Sequence, residues 1–87
     1  MFCLDGKVAI VTGGYGHLGA SITSALAASG ARVIVAARSQ QKFNLAFSKR
    51  PNIDFVCMDI SSTESINSAY AYIIERYHKI DLLVNNA

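Results

Sequence analysis

The stretch Lys7-Val8-Ala9-Ile10-Val11-Thr12-Gly13-Gly14-Tyr15-Gly16-His17-Leu18-Gly19 decides the fold. Its first half is a short β-branched run with no polar alternation between Lys7 and Thr12. A strand with one wet face would alternate, so this one reads as buried on both sides. Its second half is a glycine turn that runs straight into a helical pattern. Leu18, Ile22, Ala25, Leu26 and Ser29 fall at helical spacing, and Gly30 supplies the stop. A buried strand, a glycine turn and a helix in direct succession open a β-α unit.

The same unit repeats downstream. Arg32 to Ala36 is a second buried strand, and Ser39 is placed to cap a short helix presenting Phe43 and Phe47. Pro51 bars continuation of that helix. Ile53 to Met58 is a third strand. Ser61 and Glu64 have capping-box spacing, and Ile66, Ala69, Tyr70, Ile73 and Tyr77 mark one face of a long helix. Ile80 to Val84 is a fourth strand. Strand–helix alternation with buried strands specifies parallel β-α units joined by right-handed crossovers. The expected fold class is therefore α/β, a Rossmann-type doubly wound parallel sheet truncated after its fourth strand. Residues 1–87 form one partial domain on this reading, and the chain reads as a fragment whose fourth strand is partly uncovered.

Composition agrees. The chain has 87 residues, 52% hydrophobic and only 16% charged. That excludes a disordered segment and suits a chain covered on most sides. The net charge of +2 comes from eight basic residues spread along the chain, with only Lys49 and Arg50 adjacent, which argues against a nucleic-acid or membrane-surface partner. No apolar run approaches the ~20 residues of a membrane span. The N-terminus lacks the basic and apolar regions of a signal peptide. Cys3 and Cys57 form no framework; Cys57, inside an apolar run, reads as a small core residue. A reducing, cytoplasmic setting is the expectation.

In doubly wound sheets, ligands bind outside the carboxyl ends of the strands. At the first end, Gly14, Gly16 and Gly19 make a G-x-G-x-x-G between a strand and a helix. Glycines let a pyrophosphate approach the backbone, and the helix N-terminus offers free N–H groups to it. A glycine turn without a ligand is the alternative, and a P-loop is excluded because no Gly-Lys-Ser/Thr follows. At the second end, Ala37 and Arg38 stand where an NAD-selective site carries an acid for the ribose hydroxyl. Arg38 can pair with a 2′-phosphate, or it is a solvated residue opening a helix. At the third end, Asp59 can accept a hydrogen bond from an adenine amino group, or it serves the helix that follows electrostatically. The fourth end is Asn85-Asn86-Ala87, a turn signal with amides that can bridge backbone or touch a ribose. His17 has no second metal-ligand residue at suitable spacing and reads as a helix-start residue beside the cofactor; no metal site is expected. Tyr70, Tyr72 and Tyr77 read as packing residues, since Ile74, Arg76 and Asp81, and no Lys, stand four positions on.

With all four ends read, the chain resembles the short-chain dehydrogenase/reductase family over essentially its whole length. Leu4 to Gly13 is similar to the family's opening, Asp59 to its acid after the third strand, and Asp81 to Ala87 to its Asn-Asn-Ala-Gly segment. The resemblance implies a Rossmann fold that binds NAD(H) or NADP(H) and moves hydride between the nicotinamide and a carbonyl/alcohol substrate. It implies that Gly13, Gly14, Tyr15 and Gly16 line the pyrophosphate turn, with Leu18 and Gly19 beginning the helix beneath. It places Arg38 at the adenosine 2′ side, Asp59 and Ile60 at the adenine, and Asn86 and Ala87 at the nicotinamide-side ribose. Asn85 is expected to tie strands together. The cofactor expected is NADP, with NAD possible, and a homo-oligomer is the expected state of the full-length protein.

Two departures qualify the resemblance. His17 stands where the commonest glycine pattern has Gly, and the Gly16–Gly19 spacing matches the extended branch that includes sugar-nucleotide epimerases. The Asn-Asn-Ala segment favours ordinary dehydrogenases. The family's Ser, Tyr and Lys lie beyond the fourth strand, so no catalytic residue is assigned and the 87 residues alone are expected to be inactive. A sugar-nucleotide epimerase or dehydratase is one alternative, and a non-catalytic dinucleotide-binding sensor or scaffold is another. A methyltransferase-like Rossmann domain would want an acid where Ala37-Arg38 stands. Gly16→Val would push a branched side chain into the pyrophosphate path. Titration of the full-length protein should show weakened cofactor binding, and unchanged affinity would contradict the glycine-turn assignment.

Overall fold

A computed structural model describes residues 3–13, 17–47 and 50–85. Four strands and three helices alternate along it: β1 (Val8–Thr12), α1 (His17–Ala28), β2 (Arg32–Ala37), α2 (Gln40–Phe47), β3 (Ile53–Cys57), α3 (Thr63–Tyr77) and β4 (Leu82–Asn85). All strand pairs are parallel, in the order β3-β2-β1-β4. Successive strands step outward from β1 to β3, and the chain then crosses back to lay β4 on the other edge of β1. The order therefore reverses beside β1, which is a topological switch point.

The parity of the strands sorts the core into two layers. On one face Val11, Val33, Val35 and Ala37 pack with Ala27, Phe43 and Phe47, which come from α1 and α2. On the other, Val8, Ile10, Ile34 and Ala36 pack with Ala69 and Ile73 of α3. Both faces of β1 and β2 are thus covered by helices, which is why their sequences do not alternate. The α3 face follows the sequence reading, with Ile66, Tyr70 and Tyr77 packed at the rim of the second layer. Phe43 holds α2 through ring contacts with Phe47 and Phe55 at 5.6 and 5.2 Å. Ser39 caps α2, its Oγ accepting from the Lys42 N–H at 3.2 Å.

Four expectations need correction. The buried line of α1 is Gly19, Thr23 and Ala27, while Leu18 is 63% exposed and Ala25 lies outside. Small residues at i, i+4 and i+8 let the helix approach the sheet closely, and Ile22 and Leu26 fill in beside them. The helix α3 is capped by Ser62 instead of Ser61: the Ser62 Oγ accepts from the Ser65 N–H at 3.2 Å. Cys57 is exposed, and it ends β3, the edge strand of the described sheet. The strand β4 starts at Leu82, and Leu82 and Leu83 are exposed. Only the start of the strand differs from the reading, since an exposed β4 agrees with a fourth strand left partly uncovered.

The turn between α1 and β2 needs glycine. Gly30 has φ +100°, and a Cβ there would lie 1.9 Å from the Asp5 Oδ1. Asn52 then ties this turn to the approach of β3, donating to the carbonyls of Ala27 and Ala31 at 2.8 and 3.0 Å. Among the described residues no helix is long and apolar enough to cross a membrane. Ile73 of α3 is fully buried whereas Leu45 of α2 is 82% exposed. Ile73→Ala should cost about 2–5 kcal/mol and Leu45→Ala within about 0.5 kcal/mol. Urea denaturation of both variants checks this, and equal midpoints would refute the assigned layers.

Candidate functional site at the carboxyl ends of the strands

The carboxyl ends of β1, β2 and β3 are laced together by backbone bonds. The Gly13 N–H donates to the Ala36 carbonyl at 3.2 Å, and the Met58 N–H donates to the Ala37 carbonyl at 2.9 Å. Gly13 has φ +65°, a left-handed conformation that lets the chain turn off the sheet immediately after Thr12. Around these ends lies a cavity of about 290 Å³ lined by Gly13, Ala36, Ala37, Arg38, Met58, Asp59, Ile60 and Ser61. That size is at the low end of small-molecule pockets, about 300–1,000 Å³. It suits a base with its sugar better than a whole dinucleotide.

The cavity brings four of the residues expected at the site to one place: Gly13, Arg38, Asp59 and Ile60. Leu18 and Gly19 lie in the first turn of α1, Leu18 exposed and Gly19 buried against the sheet. His17 is the first residue of α1. The expected roles of Gly14, Tyr15, Gly16, Asn86 and Ala87 fall outside the described residues, as does the His17 side chain. The first turn of α1 carries no acid, while that of α3 carries Glu64. The positive end of the α1 dipole is therefore uncompensated from within its own first turn, which favours an anion there.

Asp59 is the charged acceptor of the cavity. Its Oδ1 accepts from the Ser61 hydroxyl at 2.7 Å and from the Ser61 N–H at 3.0 Å. These bonds, with the hydroxyl contributing most, hold its carboxyl below the usual carboxylate range, and the positive charge of Arg38 adds to the effect. The site thus combines an ionised acceptor, an exposed guanidinium and a tight glycine turn at three adjacent strand ends. Such a set can hold a base through its amino edge and a phosphate through Arg38.

The sequence pattern of the short chain dehydrogenases matches residues 7–87. This chain belongs to the short chain dehydrogenase family. It is 38% identical over 87 residues to the farnesol dehydrogenase of Aedes aegypti, covering 94% of this chain and 36% of that protein. It is 37% identical over 84 residues to the L-xylulose reductase of Bos taurus, covering 97% and 33%. Among solved structures, a short chain dehydrogenase from Bacillus anthracis superposes with a TM-score of 0.89 at 34% identity, covering 98% of this chain and 36% of that one. An actinorhodin polyketide ketoreductase crystallised with NADPH superposes with a TM-score of 0.87 at 33% identity, covering 100% and 35%. The chain spans about a third of the length of the relatives it matches.

Within this family frame, three polar ties were not assigned from the sequence. The Thr12 hydroxyl donates to the Val84 carbonyl at 3.3 Å and to the Asn85 Oδ1 at 3.2 Å. Asn85 therefore joins β4 to β1, as its expected role requires, but its partner Thr12 carried no signal beyond ending a strand. Ser61 holds Asp59 in an Asx turn, for which an Asp two residues ahead of the bonded N–H is the available cue. Asp81 stands just outside β4 and clamps the other end of that strand pair. Its Oδ2 accepts from the Val8 N–H at 2.8 Å, its own N–H donates to the Val8 carbonyl at 2.8 Å, and Lys79 lies 3.3 Å from the carboxylate.

The Val8 N–H, followed by Lys79, holds the Asp81 carboxyl below its ordinary value. A depressed pKa in the folded state stabilises the fold above the unfolded-state value of ~3.9, and the stabilisation is lost as pH falls through the folded-state value. Asp81→Ala should therefore melt below the wild type at pH 7, with the gap narrowing as the pH drops through 4 and below. Thermal melts across this range check it, and a gap independent of pH would contradict the clamp.

Proposed function

We propose that this chain supplies the adenosine-side cofactor site of an NADP(H)-dependent oxidoreductase that exchanges hydride between the nicotinamide and a carbonyl/alcohol pair. The observation that carries the reading is the cavity joining Gly13, Arg38 and Asp59 at the carboxyl ends of β1, β2 and β3. Asp59 would accept from the adenine amino group, Ile60 would contact the base, and Arg38 would meet the 2′-phosphate. Gly13 and the start of α1 would receive the pyrophosphate. When bound, the cofactor would give a hydride to a carbonyl carbon, or take one from an alcohol. This chain's residues would hold the adenosine end so that the nicotinamide end is presented to the rest of the protein.

The relatives support the hydride-transfer reading over epimerisation, since those named are dehydrogenases and reductases acting on an alcohol or a sugar ketone. The preference for NADP(H) rests on this chain alone: Ala37 ends β2 and Arg38 follows it, where a selective NAD site presents an acid. A bond to a charged group is worth about 1.5–3 kcal/mol, which is about tenfold or more in affinity. Titration of NADPH and NADH against the full-length protein should show that preference, and Arg38→Ala should erase most of it. Equal affinities in the wild type would refute the NADP(H) assignment.

A further inference from the structure

Asp59 sits in a cradle of three serines, Ser61 and Ser62 from the turn that links β3 to α3 and Ser65 from the first turn of α3. Its backbone N–H donates to the Ser65 Oγ at 2.9 Å, and its carbonyl accepts from the Ser62 N–H at 3.0 Å. The Ser62 Oγ in turn accepts from the Ser65 N–H, so Ser62 and Ser65 fix the backbone of Asp59 while capping the helix. Ser61 alone acts on the side chain. Both of its donors, N–H and hydroxyl, converge on the Oδ1 of Asp59. The Oδ2 accepts no hydrogen bond from any described residue, and both Asp59 and Ser61 line the cavity.

This division of labour has a chemical consequence. A carboxylate has about four acceptor positions and, once ionised, no proton to donate. Two of the positions are taken by Ser61 on one oxygen, which orients the group and leaves the second oxygen for a ligand. A ligand edge that presents a donor is satisfied there. One that presents a carbonyl oxygen meets a like partial charge and leaves two acceptors facing each other in a partly desolvated pocket, an arrangement that costs binding.

We infer that Ser61 is a positioning residue for base selection: by holding one oxygen of Asp59, it makes the cavity select a purine bearing an exocyclic amino group over one bearing a carbonyl at that position. The inference rests on the cofactor reading above and goes beyond it, because that reading requires an acceptor at residue 59 but assigns nothing to residue 61. The hydroxyl of Ser61 is not needed to form the turn, since its backbone N–H makes the Asx bond unaided. Loss of the hydroxyl therefore leaves the backbone cradle in place and frees one rotor of the carboxylate.

The test compares NADPH with its deaminated counterpart, in which hypoxanthine replaces adenine, on the full-length protein. Dissociation constants are measured for wild type, Ser61→Ala, Ser61→Thr and Asp59→Asn. Wild type should prefer NADPH by about tenfold or more. Ser61→Ala should reduce that preference several-fold while leaving affinity for the hypoxanthine cofactor within about a factor of two. Ser61→Thr, which keeps the hydroxyl, should restore it, and Asp59→Asn, whose amide can turn its donor outward, should abolish it. A Ser61→Ala protein that binds both cofactors more weakly by the same factor has lost only structure, and that result overturns the inference. So does an unchanged preference. Wild type that binds both cofactors equally well overturns the inference and leaves the cofactor reading standing, whereas wild type that binds neither overturns both.

Discussion

Everything in this structure depends on β1 having no free side. All five of its residues, Val8 to Thr12, are buried, β2 and β4 pair with its two edges, and helices cover its two faces. A strand enclosed in this way can meet a ligand only at an end. The amino end is closed by Asp81, whose N–H and carboxylate both bond Val8. The carboxyl end is where the chain leaves the sheet through Gly13, and the cavity lies there. The location of the candidate site therefore follows from how thoroughly the rest of the strand is used up.

The polar groups near β1 divide along the same line. Asp81 and Lys79 serve the closed end, and the pair Thr12 and Asn85 joins β1 to β4 just short of the open one. Asp59 and Arg38 stand at the open end on neighbouring strands, close enough for the guanidinium to favour the carboxylate. Opposite charges within one cavity would tend to neutralise each other if they were free to pair. Ser61 holds the Asp59 carboxylate within its own turn, and Arg38 is exposed. An acceptor and a cation thereby coexist at the carboxyl ends of adjacent strands.

The parts of this architecture that were legible in the sequence are those where one physical effect dominates. Double-sided burial makes Val8–Val11, Val33–Ala37 and the apolar face of α3 unmistakable, and Gly13 and Gly30 mark turns that need positive φ. The misreadings arise where two effects compete. In α1 the large apolar residues suggested the buried face, but closeness to the sheet favours the small line Gly19, Thr23 and Ala27, and Leu18 is left outside. At the start of α3 three residues that can cap stand in a row, and the choice of Ser62 depends on Asp59 already engaging Ser61. The position of Cys57 depends on which strand lies at the edge, which is a property of sheet order and not of local sequence. At the site, residue types at strand ends indicated Gly13, Arg38 and Asp59, whereas the supporting bonds from Thr12, Ser61 and Asp81 span turns or distant strands and leave only faint local traces.

The small-residue line of α1 makes the helix a lever. Gly19 and Ala27 are eight positions apart, roughly 12 Å along the axis, and both are pressed against the sheet. A larger side chain at Ala27 would lift the far end of the rod and tilt the near end, changing how deeply the free amides of the first turn sit beside Gly13. The depth of the proposed anion seat would thus be adjustable from Ala27, which does not line the cavity. Such a remote setting would trade grip on the proposed cofactor against its rate of exchange without altering any residue in the pocket.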